Sequence, residues 1–259
     1  MKKRMNALAC GAAIGALALA APYAAANSIT IDIDSVVGNW TATDPGAPDV
    51  SGLNTDTISW GTPPLFGDQS SYVFDGVAPP PQTGFNLGEV FQVGTFTHNN
   101  NPILAPSLNT AELTINSQIG VTQGTTDLGT FNVVSVFDFA HFETPNSADP
   151  CADGGSNGSG VNINGCADRV TFTTNVGQSS GFEVAGVEYI LNLTGFLTNG
   201  SVADEFWTVE RQSNEAFLKG EVVDRTTVVP IPAAAWLFGS ALLGAVGLGR
   251  RNSKKKREA

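Results

Sequence analysis

The sequence predicts an all-β protein: an antiparallel β-sandwich with jelly-roll-like connections, preceded by a signal peptide and followed by a transmembrane helix. Three observations carry this reading. Between positions 27 and 229 the apolar residues recur with period two and show no helical period. The runs are short and bounded by Gly, Pro, Asn or Asp, as in a chain of many strands and turns. The long uncharged apolar stretches lie at the two ends, where export and membrane signals sit.

The first element spans 1–26. Lys2, Lys3 and Arg4 form a basic n-region and Ala7 to Ala21 an apolar h-region. Ala24, Ala25 and Ala26 fit the small-x-small cleavage pattern, which makes Asn27 the first mature residue. Cys10 has no spanning apolar stretch before it, so a lipoprotein signal is rejected.

The exported β domain spans 27–225. Ile29, Ile31 and Ile33 alternate with Thr30, Asp32 and Asp34; Leu113 and Ile115 alternate with Glu112, Thr114 and Asn116. Phe131, Val133, Phe137 and Phe139 share one strand face with Ser135, and Val170 and Phe172 alternate with Thr171 and Thr173. Further strands are expected at Tyr72–Asp75, Phe85–Thr97, Phe182–Thr194, Glu205–Arg211 and Ala216–Asp224. Two long loops stand out. Asp44 to Thr57 is rich in Pro, Gly and Asp and is expected to be exposed; Pro145 to Asp168 is rich in Gly, Asn and Ser. The second loop holds Cys151 and Cys166, the two cysteines that survive signal cleavage. An even pair in an exported chain reads as a disulfide, and closing a loop of this size stabilises by roughly 3 kcal/mol in the chain-entropy model. The loop's composition predicts little structure of its own. Only His141 lies near the pair in sequence, which argues against a zinc-binding or catalytic cysteine.

The last element is a tail over 226–259. It has a short motif at 229–233, an uncharged apolar segment over 233–249 and a basic stop over 250–257. Pro230 and Pro232 keep the motif extended. The apolar segment is at the short end of what spans a bilayer, roughly 17–25 residues. Trp236 suits the headgroup region near its outer end, and Arg250, Arg251, Lys254, Lys255, Lys256 and Arg257 orient the C-terminus to the cytoplasm.

Removing the two addresses changes the charge. Residues 27–229 keep four cations, Arg169, Arg211, Lys219 and Arg225, against 23 acids, for a net charge of −19. Nucleic acid and anionic lipid are excluded as partners held by phosphate neutralisation. A divalent cation or a cationic surface remains compatible.

Val229, Pro230, Ile231, Pro232 and Ala233, followed by an apolar helix and Arg250-Arg251, resemble the PEP-CTERM sorting signal in its Val-Pro-x-Pro-Ala variant; Ile231 stands where the type pattern has Glu. The resemblance implies Sec export with signal peptidase cleavage and a transient anchor in the inner membrane of a Gram-negative bacterium. It further implies recognition and cleavage by exosortase, a membrane-embedded cysteine protease, and delivery to an envelope or matrix rich in exopolysaccharide. Inside the domain, Thr97-His98-Asn99-Asn100, with Ile58-Ser59-Trp60-Gly61-Thr62-Pro63 and Gln69-Ser70-Ser71, resembles the Thr-His-x-Asn family of PEP-CTERM proteins over roughly residues 28–225. Thr97, His98 and Asn100 are the motif positions. The family brings no established activity.

Read as chemistry, the motif follows a strand and ends at Pro102, so it is expected at a strand-to-turn junction. There His98 has two open roles: a locally hydrogen-bonded turn residue among Asn and Thr caps, or a ligand or base. His141, in an aromatic strand, is expected as a core-edge or rim histidine. No G-x-S-x-G is present to support a Ser-His-Asp hydrolase, and 23 acids always offer carboxylate pairs, so a glycosidase pair is weakly indicated. No cofactor is expected, with calcium as the possible metal: Asp149, Asp153, Asn157 and Asp168 offer hard oxygens in or beside the cysteine loop, though not in EF-hand spacing. Trp40, Trp60 and Trp207 could stack on sugars if exposed, or pack in the core. The expected role is structural or adhesive within exopolysaccharide or biofilm, without catalysis. The alternatives are a carbohydrate- or calcium-binding module and a secreted hydrolase.

Overall fold

The computed structural model describes residues 28–64 and 67–228. The signal peptide with Ala24, Ala26 and Asn27, the motif Val229 to Ala233, the apolar segment 233–249 and Arg250-Arg251 lie outside the described residues. Among the described residues no helix is long and apolar enough to cross a membrane.

The chain is all-β, with two antiparallel sheets. Its strands in order are β1 (Ile29–Asp44), β2 (Val50–Ser51), β3 (Thr57–Trp60), β4 (Ser70–Gly76), β5 (Gln82–Asn86), β6 (Phe91–Asn100) and β7 (Thr110–Gln123). They continue with β8 (Thr126–Phe142), β9 (Asp168–Thr174), β10 (Phe182–Val184), β11 (Val187–Thr198), β12 (Ser201–Ala203), β13 (Glu205–Thr208) and β14 (Gln212–Asp224). One sheet runs β13-β9-β8-β7-β1-β5; the other runs β10-β11-β14-β6-β4-β3-β2, with β12 on β11. Strands joined by tight turns sit side by side, as β7 and β8 do around Gly124.

Period-two patterning puts one face of each sheet in a shared core. On β7, Ala111, Leu113, Ile115, Ser117, Ile119 and Val121 point inward and are buried. Aromatic rings fill the centre: Trp40 from β1 meets Tyr72 at 5.5 Å and Phe139 at 5.3 Å between ring centres, and Phe96 stacks on Phe139 at 5.5 Å. Trp40 also donates its indole N–H to Asp56 O at 3.0 Å, so its polar edge is satisfied. Trp60 is likewise fully buried.

Several sequence expectations shift in detail. The expected strand Phe85–Thr97 is two strands, because Leu87 to Val90 form a turn in which Gly88 takes a positive φ of 75°. The expected strand Phe182–Thr194 is also two, β10 and β11, folded back at Ala185 and Gly186; both have positive φ, the geometry of a tight hairpin. The exposed loop after Asp44 contains the short strand β2 on β3. The cysteine loop has more internal order than its composition suggests. Cys151 N donates to Gly155 O at 2.9 Å, Asn162 Nδ2 donates to the Asp153 carboxylate, and a 3-10 turn covers Gly160–Asn162. Here Asn and Asp side chains replace regular backbone pairing. Cys151 and Cys166 form the expected disulfide, 15 residues apart in sequence.

Phe74 of β4 packs tightly against β1 of the other sheet and against β6 of its own. A Cβ at Gly38 on β1 would stand 2.4 Å from Phe74 Cδ1, and one at Gly94 on β6 would stand 2.7 Å from the same ring. The two glycines leave the space that the ring fills. Gly38→Ala is therefore expected to destabilise by about 1–3 kcal/mol through overpacking, and adding Phe74→Leu is expected to recover part of the loss. Urea unfolding of the two variants checks this; additive losses would contradict it.

Candidate functional site

Four separated segments bring polar side chains into one end of the core. His98 lies on β6 between Tyr72 of β4 and Asn214 of β14. It is not at a strand-to-turn junction: β6 continues to Asn100, paired on both sides, and His98 is an inward position of a central strand. The inward run Phe96, His98, Asn100 explains the motif's spacing, since His-x-Asn puts two polar groups on one strand face. Thr97 faces the other way. From the second sheet, the inward run Phe137, Phe139 continues to His141. Of the two expected places, core edge and rim, His141 takes the first: it is buried at the end of the core, with its side chain closed to solvent. Asp168 opens β9 and Thr208 ends β13; both are fully buried, as is Glu210 two residues on.

The hydrogen bonds set the histidine tautomers. Thr208 Oγ1 donates to Asp168 O at 3.2 Å, so it accepts from His98 Nδ1 at 2.8 Å, and Asn100 Nδ2 donates to Thr208 O at 3.1 Å. His98 Nε2 is then a bare lone pair, and it is buried without a partner. His141 is held the same way: Nδ1 meets the Tyr72 hydroxyl at 2.6 Å, while Nε2 meets Glu143 Oε2 at 3.3 Å. The two imidazole rings stand edge to face with centres 5.3 Å apart. Trp60 stacks on His98 at 5.7 Å and meets the edge of His141 at 5.3 Å, forming an apolar wall.

The disulfide loop closes the other side. Thr144 N donates to Asp168 Oδ1 at 2.7 Å, and Thr144 Oγ1 donates to Cys166 O and Ala167 O. Asn164 Nδ2 donates to Glu210 O at 3.0 Å. Asn146, with its amide oriented to satisfy its neighbours, donates to Glu210 Oε1 at 3.0 Å and Cys166 O at 3.2 Å. The disulfide thus anchors the loop whose backbone and amides hold two of the site's carboxyls. Glu143 is the member that reaches solvent, its side chain 21% exposed.

Burial dominates the electrostatics. It pushes the carboxyls of Glu143 and Asp168 up to about 7 and that of Glu210 up to about 8, helped at Asp168 and Glu210 by repulsion between neighbouring carboxylates. Desolvation pushes His98 well below its ordinary value and His141 down to about 4, against the pull of Asp168. The Tyr72 hydroxyl is raised well above its ordinary value by burial and by Asp168 and Glu143. The site favours neutral imidazoles and resists holding three bare carboxylates together. One donor atom each from His98, His141 and Asp168 lies within 4.8 Å of the others, and the same holds for Glu143, Asp168 and Glu210.

The sequence candidates are thus regrouped. His98, Asn100 and Asp168 meet in the site, joined by His141. Asp149 and Asp153 are exposed on the loop, where Asp149 accepts from Asn157 N and Asp153 from Asn162. Asn157 donates to Asn146 O and Ala148 O. Glu143, Glu210, Tyr72 and Thr208 were not legible as site residues. For Glu143 a signal existed: the inward run 137, 139, 141 points to 143 next. A scan against protein-family models finds no match to the chain, and comparison with curated proteins finds no relative.

Thr208 is the hub of this network. Thr208→Val keeps its shape but leaves the His98 Nδ1–H unpaired, so it is expected to destabilise by about 1–3 kcal/mol, with Thr208→Ser close to wild type. Denaturant unfolding tests this; a Val variant as stable as wild type would remove Thr208 from its assigned role.

Proposed function

We propose that this chain is an exported surface or extracellular-matrix protein, a jelly-roll-like β-sandwich delivered through a sorting tail. Its role is structural or adhesive, and not catalytic. In this reading the Sec machinery exports the chain, signal peptidase cuts before Asn27, and residues 233–249 hold it in the inner membrane with the C-terminus in the cytoplasm. Exosortase then recognises Val229, Pro230, Ile231, Pro232 and Ala233 and frees the domain to the envelope or matrix, where exopolysaccharide is its surroundings. The route rests on the tail sequence and on the resemblance it carries. The structural role is supported chiefly by one observation: both histidines and Asp168 are sealed between the sheets and engaged with the fold's own groups. The disulfide suits an oxidising compartment, and the acidic domain suits a solvated exterior.

A carbohydrate-binding role is favoured by one surface feature. Trp40 and Trp60 are core residues, which leaves Trp207. It lies in a row on the outer face of its sheet, Phe142–Arg169–Trp207, with the Arg169 guanidinium 5.6 Å from the Phe142 ring centre and 5.7 Å from that of Trp207. If this row stacks on sugars, Trp207→Ala is expected to lower retention on the host's own exopolysaccharide by about tenfold or more without changing stability; unchanged retention would exclude the row as the contact.

The sorting reading is tested by intact mass and fractionation of the native protein with and without exosortase. Wild-type cells are expected to yield a chain lacking the tail and found outside the inner membrane, and the deletion strain a full-length membrane-bound chain. The same uncut, membrane-bound species in both strains would contradict sorting.

A further inference from the structure

Five ionisable side chains share one buried seam, and the cation that acts on it from outside is Arg211, at Glu210. His98, His141, Asp168 and Glu210 are buried, and Glu143 closes the group toward solvent. Among the described residues, Arg169 and Arg225 pair elsewhere, with Glu205 and Glu188, and the ion-pair partner within the seam is His141, against Glu143. Three fully buried atoms of the group have no hydrogen-bond partner: His98 Nε2, Asp168 Oδ2 and Glu210 Oε2. A buried lone pair left bare is costly, and more so on a charged group. Trp60 Nε1 and Asn100 Oδ1 beside them are also buried without a partner, but His98 Nε2 and Asp168 Oδ2 are acceptors on residues of one cluster, and together they ask for a missing partner with positive charge.

We propose that His98, His141, Asp168 and Glu143 form a binding site for one divalent transition-metal ion of the zinc class. The donor set is two imidazoles and two carboxylates, which suits zinc and its neighbours and not calcium or magnesium. The charge closes: two neutral imidazoles, two carboxylates and one dication sum to zero, and Glu210 Oε1 beside them accepts from Asn146. The donor atoms of His98, His141 and Asp168 lie within 4.8 Å of one another; Glu143 comes within that distance of Asp168 and 3.3 Å from His141 Nε2, and completes the set by closing toward His98. Each imidazole is fixed at Nδ1 by a hydroxyl, Thr208 for His98 and Tyr72 for His141, which leaves Nε2 to face the ion. Asp168 is fixed at Oδ1 by Thr144 N and offers Oδ2. His141 Nε2 and Glu143 Oε2 stand 3.3 Å apart. That is the edge of a tetrahedron with bonds of about 2.0–2.1 Å. Glu143, partly exposed, is also the way in. Because four protein ligands close the site, the ion's role is structural: it ties the central strand of one sheet to the end of β8 and the start of β9 in the other. This holds whether or not the tail is cut.

The test uses the full chain with its disulfide formed, stripped with chelator and shown to be folded by near-ultraviolet circular dichroism. It is then titrated with Co²⁺ alone and with Zn²⁺ alone. The expected result is one Co²⁺ per chain with the visible absorption of a tetrahedral ion, displaced by Zn²⁺, and a melting temperature about 5–10 °C higher at Zn²⁺ a hundredfold above its Kd. His98→Gln and Asp168→Asn should each abolish the band and weaken binding by more than the roughly 10–100-fold that a lost supporting hydrogen bond costs, while Asp149→Asn should leave both unchanged. Folded wild-type protein that takes up neither ion, that takes up calcium alone, or whose band survives both ligand substitutions would overturn the proposal. The first readout is on the wild type, so a variant that fails to fold does not rescue it.

Discussion

Two imidazoles and two carboxyls enclosed between the sheets, with a third at the solvent edge, are the constraint around which the rest of this structure is arranged. Apolar burial alone would make a sandwich of these strands, and Trp40, Tyr72, Phe96 and Phe139 supply it. Ionisable groups in the same core carry a desolvation cost that only specific partners offset. Those partners come from far apart in the chain: Thr208 lies 110 residues from His98, and Tyr72 lies 69 from His141. Each pairing fixes where one strand end must sit relative to another. The polar seam therefore selects the register that the apolar pattern only permits.

The disulfide loop reads differently in this light. Its cross-link holds a cover whose N–H groups reach the seam: Thr144 N to the Asp168 carboxyl, Asn146 to the Glu210 carboxyl and Asn164 to the Glu210 backbone carbonyl. A loop of Gly, Asn and Ser has little apolar surface with which to hold itself down. Here the Cys151–Cys166 bond and the loop's own Asn and Asp bonds do so instead. Its exposed acids, Asp149 and Asp153, serve the loop's turns, and its one buried acid, Asp168, serves the core.

Much of the fold was legible in the sequence. Period-two runs gave the inward faces of β1, β7, β8 and β9, because a two-sheet core reads alternation directly. The disulfide followed from an even cysteine pair. The turns inside Phe85–Thr97 and Phe182–Thr194 carried only single-glycine signals, Gly88 and Gly186, which a strand interior also tolerates, and Ala185 takes its positive φ from the hairpin. The site was legible only in parts. His98 stands out through its motif, Asp168 through the cysteine loop and His141 through its aromatic strand, and nothing local links the three. Convergence of segments from four parts of the chain is a tertiary fact, and no local pattern encodes it. What the sequence does contain is parity: His98 follows Phe96, and His141 follows Phe137 and Phe139, on faces already known to point inward.

The whole chain has two histidines, and both are in the seam. An imidazole ¹⁵N spectrum of the intact protein therefore reports the site with two spin systems and no background. The account predicts two neutral rings, each held at Nδ1, whose Nε2 resonances both move on addition of one equivalent of zinc and of nothing more. Two rings that behave as free, solvent-exposed imidazoles, or Nε2 resonances that ignore zinc, would contradict it.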